Sequence, residues 1–151
     1  MHSAFRGAPL DVYGAEVRQL ILDLGDSVDS NSLLGLWECA INAPRCESAV
    51  WFHGDVAVGN LLTVQGRLAA VIDFGCSGVG DAACDLAIAW TLFSGESRET
   101  FRSVLAVDPA IWARGRGWAL WKALITPSVA GGFAAPHPLR SQSSRGLLPG
   151  G

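Results

Sequence analysis

Two short polar motifs, joined by a pattern typical of a β-hairpin, constrain the fold of this chain more than any other feature. The first motif is His53-Gly-Asp55, followed by Asn60, and the second is Asp73-Phe-Gly75. Two apolar runs between the motifs flank the short link Gln65-Gly-Arg67, which favours one strand on each side of a turn. A hairpin returns the chain to the edge from which it started. We therefore expect the oxygens of Asp55, Asn60 and Asp73 to converge there.

Phosphoryl transfer from a nucleotide needs the groups that these motifs supply. A carboxylate orients or deprotonates the acceptor hydroxyl, and oxygen ligands hold Mg²⁺ against the phosphates. Protein kinases use the order H-R-D-x-x-x-x-N followed by D-F-G, in which the first Asp is the base and the Asn and second Asp bind magnesium. The present sequence keeps this order, but Gly54 replaces the arginine of those kinases. The combination predicts a kinase-like site.

The replacement of arginine by Gly54 resembles the aminoglycoside phosphotransferase family, whose catalytic loop reads H-G-D-x-x-x-x-N. The stretch Ile72-Asp-Phe-Gly75, with Gly80-Asp81 and Asp85-Leu-Ala87 after it, is similar to that family's metal motif and the residues that follow it. The segment Arg6-Gly-Ala-Pro-Leu10 resembles the start of its helical lobe. The resemblance thus covers residues 6–125.

This resemblance implies both a function and a set of site residues. The function is that of a small-molecule kinase, which transfers the γ-phosphoryl group of ATP to an alcohol; aminoglycosides, macrolides, choline and homoserine are the acceptor classes that the family suggests. Asp55 is implied as the catalytic base, and His53 as a brace for its loop. Asn60 and Asp73 are implied as ligands of Mg²⁺ and, through it, of the ATP cofactor.

The predicted fold class is α+β and mainly helical: a kinase-like C-terminal lobe with a small β-hairpin that carries the catalytic and metal motifs. Apolar periodicity and capping residues predict helices over five segments, namely 9–24, 30–43, 82–93, 96–107 and 109–125. Ser30 is the expected cap of the second helix, and Asp108, followed by Pro109, is the expected cap of the last. Residues 1–125 are expected to form this lobe. Residues 126–151 are rich in Gly, Pro and Ser and are expected to be a poorly ordered, low-complexity tail.

The β-rich upper lobe with which kinases hold the α- and β-phosphates is expected to be missing. No lysine precedes Asp55, and Lys122, the only lysine, follows on a late helix where it is not expected to take that role. The isolated chain is therefore expected to be inactive or nearly so, unless a partner chain supplies the lobe. The surface that a missing lobe leaves exposed also predicts self-association. The alternative is a non-catalytic, truncated remnant or interaction module, which magnesium-dependent nucleotide binding would distinguish from an enzyme.

Two groups of residues have structural interpretations beside functional ones. Asp81 and Asp85 are favoured as residues that cap a helix and complement its dipole. The alternative for Asp85 is that it accepts hydrogen bonds from the catalytic loop and so fixes Asp55. The tryptophans are assigned to the core rather than to a ligand platform.

Composition argues against two classes of partner. A net charge of −3 and a charged fraction of 17% provide no basic surface for nucleic acid. The longest apolar run, 86–93, is far shorter than the roughly 20 residues of a membrane-spanning helix.

The four cysteines form no C-x-x-C pair and no signal segment precedes them, which predicts reduced thiols in a cytoplasmic protein.

Overall fold

The computed structural model describes residues 6–45 and 48–126, and here the fold is mainly helical with two small antiparallel sheets. The helices are α1 (Gly14–Asp23), α2 (Ser30–Ile41), α3 (Ile88–Thr91), α4 (Gly95–Leu105) and α5 (Pro109–Ile125). The strands are β1 (Val50–Phe52), β2 (Leu61–Val64), β3 (Arg67–Val71) and β4 (Gly78–Gly80). This agrees with the predicted α+β class. The predicted tail lies outside the described residues from 127 onward.

Side-chain caps begin two of the helices. Asp108 accepts the backbone N–H of Ala110 at 2.7 Å, and Pro109 occupies the first turn of α5, as the sequence predicts. The cap of α2 is Asp29, which accepts the backbone N–H of Ser32 at 3.1 Å. The prediction of Ser30 as the cap was therefore wrong by one residue: the cap is Asp29, and Ser30 is the first residue of the helix.

The predicted hairpin is present as β2 and β3, which pair in antiparallel register from Leu61 opposite Val71. Gln65 and Gly66 make its turn with φ angles of 49° and 74°, and positive φ at both central residues is what a two-residue type I′ hairpin loop requires. β4 was not predicted. It pairs with β1, and its sequence, Gly-Val-Gly, carries too little strand propensity to reveal a strand that forms only through this long-range pairing.

The segment predicted as one helix over 82–93 divides into two kinds of helix. Ala82–Ala87 is a 3₁₀ helix capped by Asp81, and α3 continues it. Six of the twelve residues in 82–93 are buried, whereas Thr91 is exposed. A Cβ on Gly115 of α5 would lie 2.7 Å from the Cβ of Leu86, which shows how closely the 3₁₀ helix packs against α5.

Tryptophan rings fill much of the core, but not all of them are buried. Trp37, Trp118 and Trp121 are fully enclosed, and the Tyr13 ring lies 4.6 Å from that of Trp121. Trp51 is 78% exposed, so its assignment to the core was wrong. Trp51 lies opposite Val79 in the β1–β4 pair. Neighbouring residues of a strand point to opposite faces, so Phe52 is directed into the core and Trp51 to the uncovered face.

A buried ion pair fixes α5 to the segment that precedes the 3₁₀ helix. Arg114 donates from Nε to Oδ2 of Asp81 over 2.7 Å, and both side chains are buried. Arg114 also donates to the carbonyl of Pro44. Burial of two charges is tolerated only when they are paired in this way. Within 6–45 and 48–126, no helix is both long and apolar enough to cross a membrane.

Candidate functional site

His53 joins the two predicted motifs. Its Nδ1 accepts the backbone N–H of Asp55 at 3.2 Å, so the ring proton resides on Nε2, which lies 3.0 Å from the carbonyl oxygen of Ile72. The ring also packs against Phe74, with 4.6 Å between centroids. His53 therefore ties the loop that carries Asp55 to the strand end that carries Asp73.

Gly54 is required by the close approach of two backbone segments. Its φ is +84°, and a Cβ built on it would overlap the carbonyl oxygen of Cys76. Residues with a side chain seldom adopt this conformation and here would also collide with the chain beyond Asp73. The glycine that distinguishes this loop from the H-R-D loop is thus explained by packing.

Asp85 holds the same loop by its backbone. Its Oδ2 accepts the N–H of His53 at 2.8 Å, and its Oδ1 accepts the N–H of Gly54 at 2.7 Å. Asp85 lies in the first turn of the 3₁₀ helix, but its carboxylate is directed at the loop. Asp81 is the residue that caps this helix, through the N–H of Ala83. The favoured interpretation as a helix cap therefore holds for Asp81 but was wrong for Asp85, whose side chain has the loop contacts of the alternative.

Asn60 contacts Asp55 through its side-chain amide. Nδ2 donates to the backbone oxygen of Asp55 at 2.9 Å and lies 3.4 Å from its Oδ2. The backbone oxygen of Asn60 accepts the N–H of Ile72 at 2.9 Å. The amide oxygen of Asn60 has no hydrogen-bond partner among the described residues, so its acceptor capacity remains available to a ligand.

Asp73 follows directly on Ile72, whose backbone bonds to both His53 and Asn60. Its own backbone is in the left-handed region, with φ 63° and ψ 66°, which is uncommon for a residue other than glycine. The side chain is exposed, and its Oδ1 accepts the N–H of Gly75 over a long 3.4 Å. The fold therefore brings Asp73 to the mouth of the loop but makes no hydrogen bond from it to Asp55 or Asn60.

Lys122 is the site residue that the sequence did not reveal. Its Nζ lies 2.6 Å from Oδ1 of Asp55, across 67 residues of sequence. Burial by itself would raise the pKa of the Asp55 carboxyl, but the hydrogen bond and charge of Lys122 outweigh it, with a smaller contribution from the charge of Arg6. The pKa of Asp55 is consequently below its ordinary value, and the carboxylate is ready to accept a hydrogen bond.

The residues present fit a magnesium ion that is shared with phosphate. No group of three His, Cys, Asp or Glu side chains in the described ranges is placed to hold a metal. Mg²⁺ bound to a nucleotide does not need such a group, because it uses one or two carboxylates together with phosphate oxygens and water. The exposed carboxylate of Asp73 and the amide oxygen of Asn60, which accepts no hydrogen bond within 6–45 and 48–126, are oxygen donors of this kind.

Comparison with known proteins gives one family and one curated relative. Residues 8–119 match the phosphotransferase enzyme family (APH). A 47-residue stretch is 40% identical to an aminoglycoside 3′-phosphotransferase of Escherichia coli, and it makes up 31% of this chain and 17% of that protein. The chain therefore spans a small part of that relative. No solved structure matches the chain. The family match includes the loop from His53 to Asn60, Asp73 and Asp85, but it ends before Lys122.

Proposed function

Because the chain belongs to the phosphotransferase enzyme family, we propose that it carries the base and the metal ligands for ATP-dependent transfer of the γ-phosphoryl group to a small-molecule hydroxyl. The observation that supports this most is the contact between Asn60 and Asp55, made at the end of a hairpin whose other end leads into Asp73. A base and two oxygen ligands in this arrangement suit phosphoryl transfer.

Each residue has a proposed part in the reaction. Asp55 accepts a hydrogen bond from the acceptor hydroxyl and takes its proton as that oxygen bonds to the γ-phosphorus, while the bond from this phosphorus to the bridging β-phosphate oxygen breaks and ADP leaves. Asn60 and Asp73 supply oxygens to Mg²⁺, which neutralises phosphate charge when it is bound. His53 and Asp85 hold the loop, because one bonds across to Ile72 and the other accepts two of the loop's N–H groups.

The acceptor is proposed only as an alcohol of small size. The name of the curated relative states an aminoglycoside acceptor and a 3′ position. A panel of alcohols that includes an aminoglycoside is therefore the first choice for assays. The carboxylates near Asp55 are already engaged by Lys122, by backbone amides or by Arg114, which leaves few to bind a polycation.

We further propose that turnover by the 151-residue chain is slow. Its one lysine is paired with Asp55, so no second lysine is available to hold the α- and β-phosphates. A transfer or hydrolysis assay with Mg²⁺ and ATP is expected to give a rate far below the roughly 1 per second at the lower end for kinases. A rate near that value would show that other groups suffice.

Magnesium-dependent nucleotide binding tests the proposed site without requiring turnover. Millimolar ATP with Mg²⁺ is expected to raise the melting temperature of the wild-type protein, because a ligand of the folded state stabilises it. Asp73→Asn should abolish the shift, whereas Asp23→Asn, which changes an exposed carboxylate on α1, should retain it. No shift in the wild type, or an equal shift in Asp73→Asn, would refute the proposed metal ligand.

A non-catalytic interaction module is the second candidate function. The exposed apolar residues Trp51 and Val79, which face each other across β1 and β4, favour it because large exposed apolar side chains often mark contact surfaces. The two candidates differ in the nucleotide experiment. An interaction module has no reason to be stabilised by ATP in a manner that requires both Mg²⁺ and Asp73.

A further inference from the structure

Lys122 contacts one carboxylate oxygen of Asp55, the proposed base, and Asn60 lies near the other. Nζ of Lys122 is 2.6 Å from Oδ1 of Asp55, and Nδ2 of Asn60 is 3.4 Å from Oδ2. The side chains of Lys122 and Asp55 are 23% and 31% exposed, so the pair is partly shielded from water. The carboxylate is thus held from two directions by elements that are far apart in sequence.

The position of Lys122 is set by the packing of α5. Trp118 and Trp121 of this helix are buried in the core, and Arg114 is paired with Asp81 at the start of the 3₁₀ helix. That 3₁₀ helix carries Asp85, which accepts the N–H groups of His53 and Gly54. The helix that presents the ammonium group and the loop that presents Asp55 are therefore fixed to the same packed element.

The carboxylate of an aspartate rotates readily unless a strong donor fixes it, because its terminal torsion has a broad minimum. A charge-assisted hydrogen bond of 2.6 Å is such a donor. We propose that Lys122 is a positioning residue for phosphoryl transfer: its ammonium group fixes the rotation of the Asp55 carboxylate so that Oδ2, beside Asn60, is the oxygen that meets the acceptor hydroxyl. This inference depends on the proposed function of Asp55.

The positive charge of Lys122 beside Asp55 is also suited to phosphoryl transfer. In phosphoryl transfer a negatively charged phosphate group approaches a carboxylate, and a cation beside that carboxylate reduces their repulsion. The loop from His53 to Asn60 contains no lysine or arginine. α5 thus supplies from a distance the cation that the loop sequence lacks.

The composition of the chain makes the inference testable by NMR. Lys122 is the only lysine, so lysine labelled with ¹⁵N gives one ammonium resonance. Asn60 is one of three asparagines, and the side-chain amides of Asn31 and Asn42 serve as internal references. Asn60→Asp identifies the Asn60 resonance by its loss. None of these signals requires a nucleotide, so the outcome is independent of the nucleotide-binding test with Asp73→Asn.

We expect the Lys122 ammonium resonance to shift in Asp55→Asn. Asn60 and Lys122 both contact the Asp55 carboxylate. In Lys122→Met the amide resonance of Asn60 should therefore shift, and Lys122→Arg should return it towards its wild-type position. Arg18→Met, which removes the surface pair of Arg18 with Glu38, should leave Asn60 unmoved.

Three outcomes would overturn the inference. If the Lys122 ammonium resonance has the same position in Asp55→Asn as in the wild type, the pair does not exist in solution. The Asn60 amide resonance could also be unchanged in Lys122→Met, or could remain displaced in Lys122→Arg. Either result would mean that Lys122 contacts the carboxylate without orienting it. If Lys122→Met does not fold, displaced Asn31 and Asn42 resonances will show it. The inference then depends on two measurements: the Lys122 ammonium resonance must shift in Asp55→Asn, and the Asn60 amide resonance must stay near its wild-type position in Lys122→Arg.

Discussion

The Oδ1 atom of Asp85 lies 2.7 Å from the backbone nitrogen of Gly54, and its Oδ2 atom lies 2.8 Å from that of His53. One carboxylate thus satisfies two adjacent N–H groups of the loop that carries Asp55. Buried N–H groups without a partner are costly, and an ionised acceptor binds them more strongly than a neutral one. The shape of the loop therefore depends on a residue that lies outside it.

Asp85→Asn is expected to loosen this loop. Asparagine offers one acceptor oxygen, and its NH₂ group would face an N–H that needs an acceptor, so we expect a loss of about 1–3 kcal/mol in the free energy of unfolding. Hydrogen exchange at His53 and Gly54 should accelerate. Asp108→Asn is the control, because asparagine caps a helix about as well as aspartate and Asp108 accepts only one N–H in the exposed cap of α5. Unchanged exchange in Asp85→Asn would contradict this account.

Gly54→Ala is expected to be among the most damaging small substitutions in the chain. The φ of +84° strains any residue with a Cβ, and that Cβ would overlap the carbonyl oxygen of Cys76. We expect a cost of about 2–4 kcal/mol, measured by urea denaturation. Gly59→Ala is a matched control in the same loop, because a Cβ at Gly59 meets nothing within 4 Å. Equal stability of the two variants would show that the backbone segments are not in close contact.

The parts of the site that are local in sequence were predictable. The link 65–67 and the runs on either side of it predicted the hairpin, and the hairpin accounts for the hydrogen bond between Asn60 and Ile72. Turn chemistry and strand propensity act over a few residues, so a single sequence displays them. The roles proposed for Asp55, Asn60 and Asp73 remain predictions that the experiments above test.

The parts that depend on long-range packing were not predictable in the same way. Lys122 meets Asp55 only because α5 packs against the 3₁₀ helix, and no local pattern encodes that crossing. β4 forms because β1 is beside it, and Trp51 is exposed because of the face on which β1 places it. The one available signal for Lys122 was that a chain with ten arginines keeps a single lysine, but this does not specify a partner.

Alkylation should separate the cysteines by environment. Burial, followed by the charges of Asp85 and Asp81, raises the pKa of the Cys84 thiol to about 12, and its side chain is buried. At about pH 8 its thiolate fraction is on the order of 10⁻⁴, so iodoacetamide should leave it unmodified. Cys39 is exposed and should react. Peptide mass mapping distinguishes the two, and labelling in urea is the control in which both react. Comparable rates for Cys84 and Cys39 in the native protein would contradict the described burial.

The ion pair between Lys122 and Asp55 should make stability depend on pH in one direction. The pKa of Asp55 is lower in the folded protein than in the unfolded chain, where an aspartate titrates at about 3.9. Its contribution to stability is therefore present above about pH 4 and is lost as the pH falls through the folded value. Because the pair is partly exposed, the contribution is expected to be at most about 1 kcal/mol.

Urea denaturation of the wild type and Asp55→Asn measures this contribution. The difference in their free energies of unfolding should be constant from about pH 7 to about pH 5 and should shrink below about pH 4, because protonated Asp55 then resembles asparagine. Asp55→Asn made in the Lys122→Met background is the control: without the cation that lowers the pKa, the pH-dependent part of the difference should be smaller. A difference that grows as the pH falls would mean that burial, and not Lys122, dominates the charge state of Asp55.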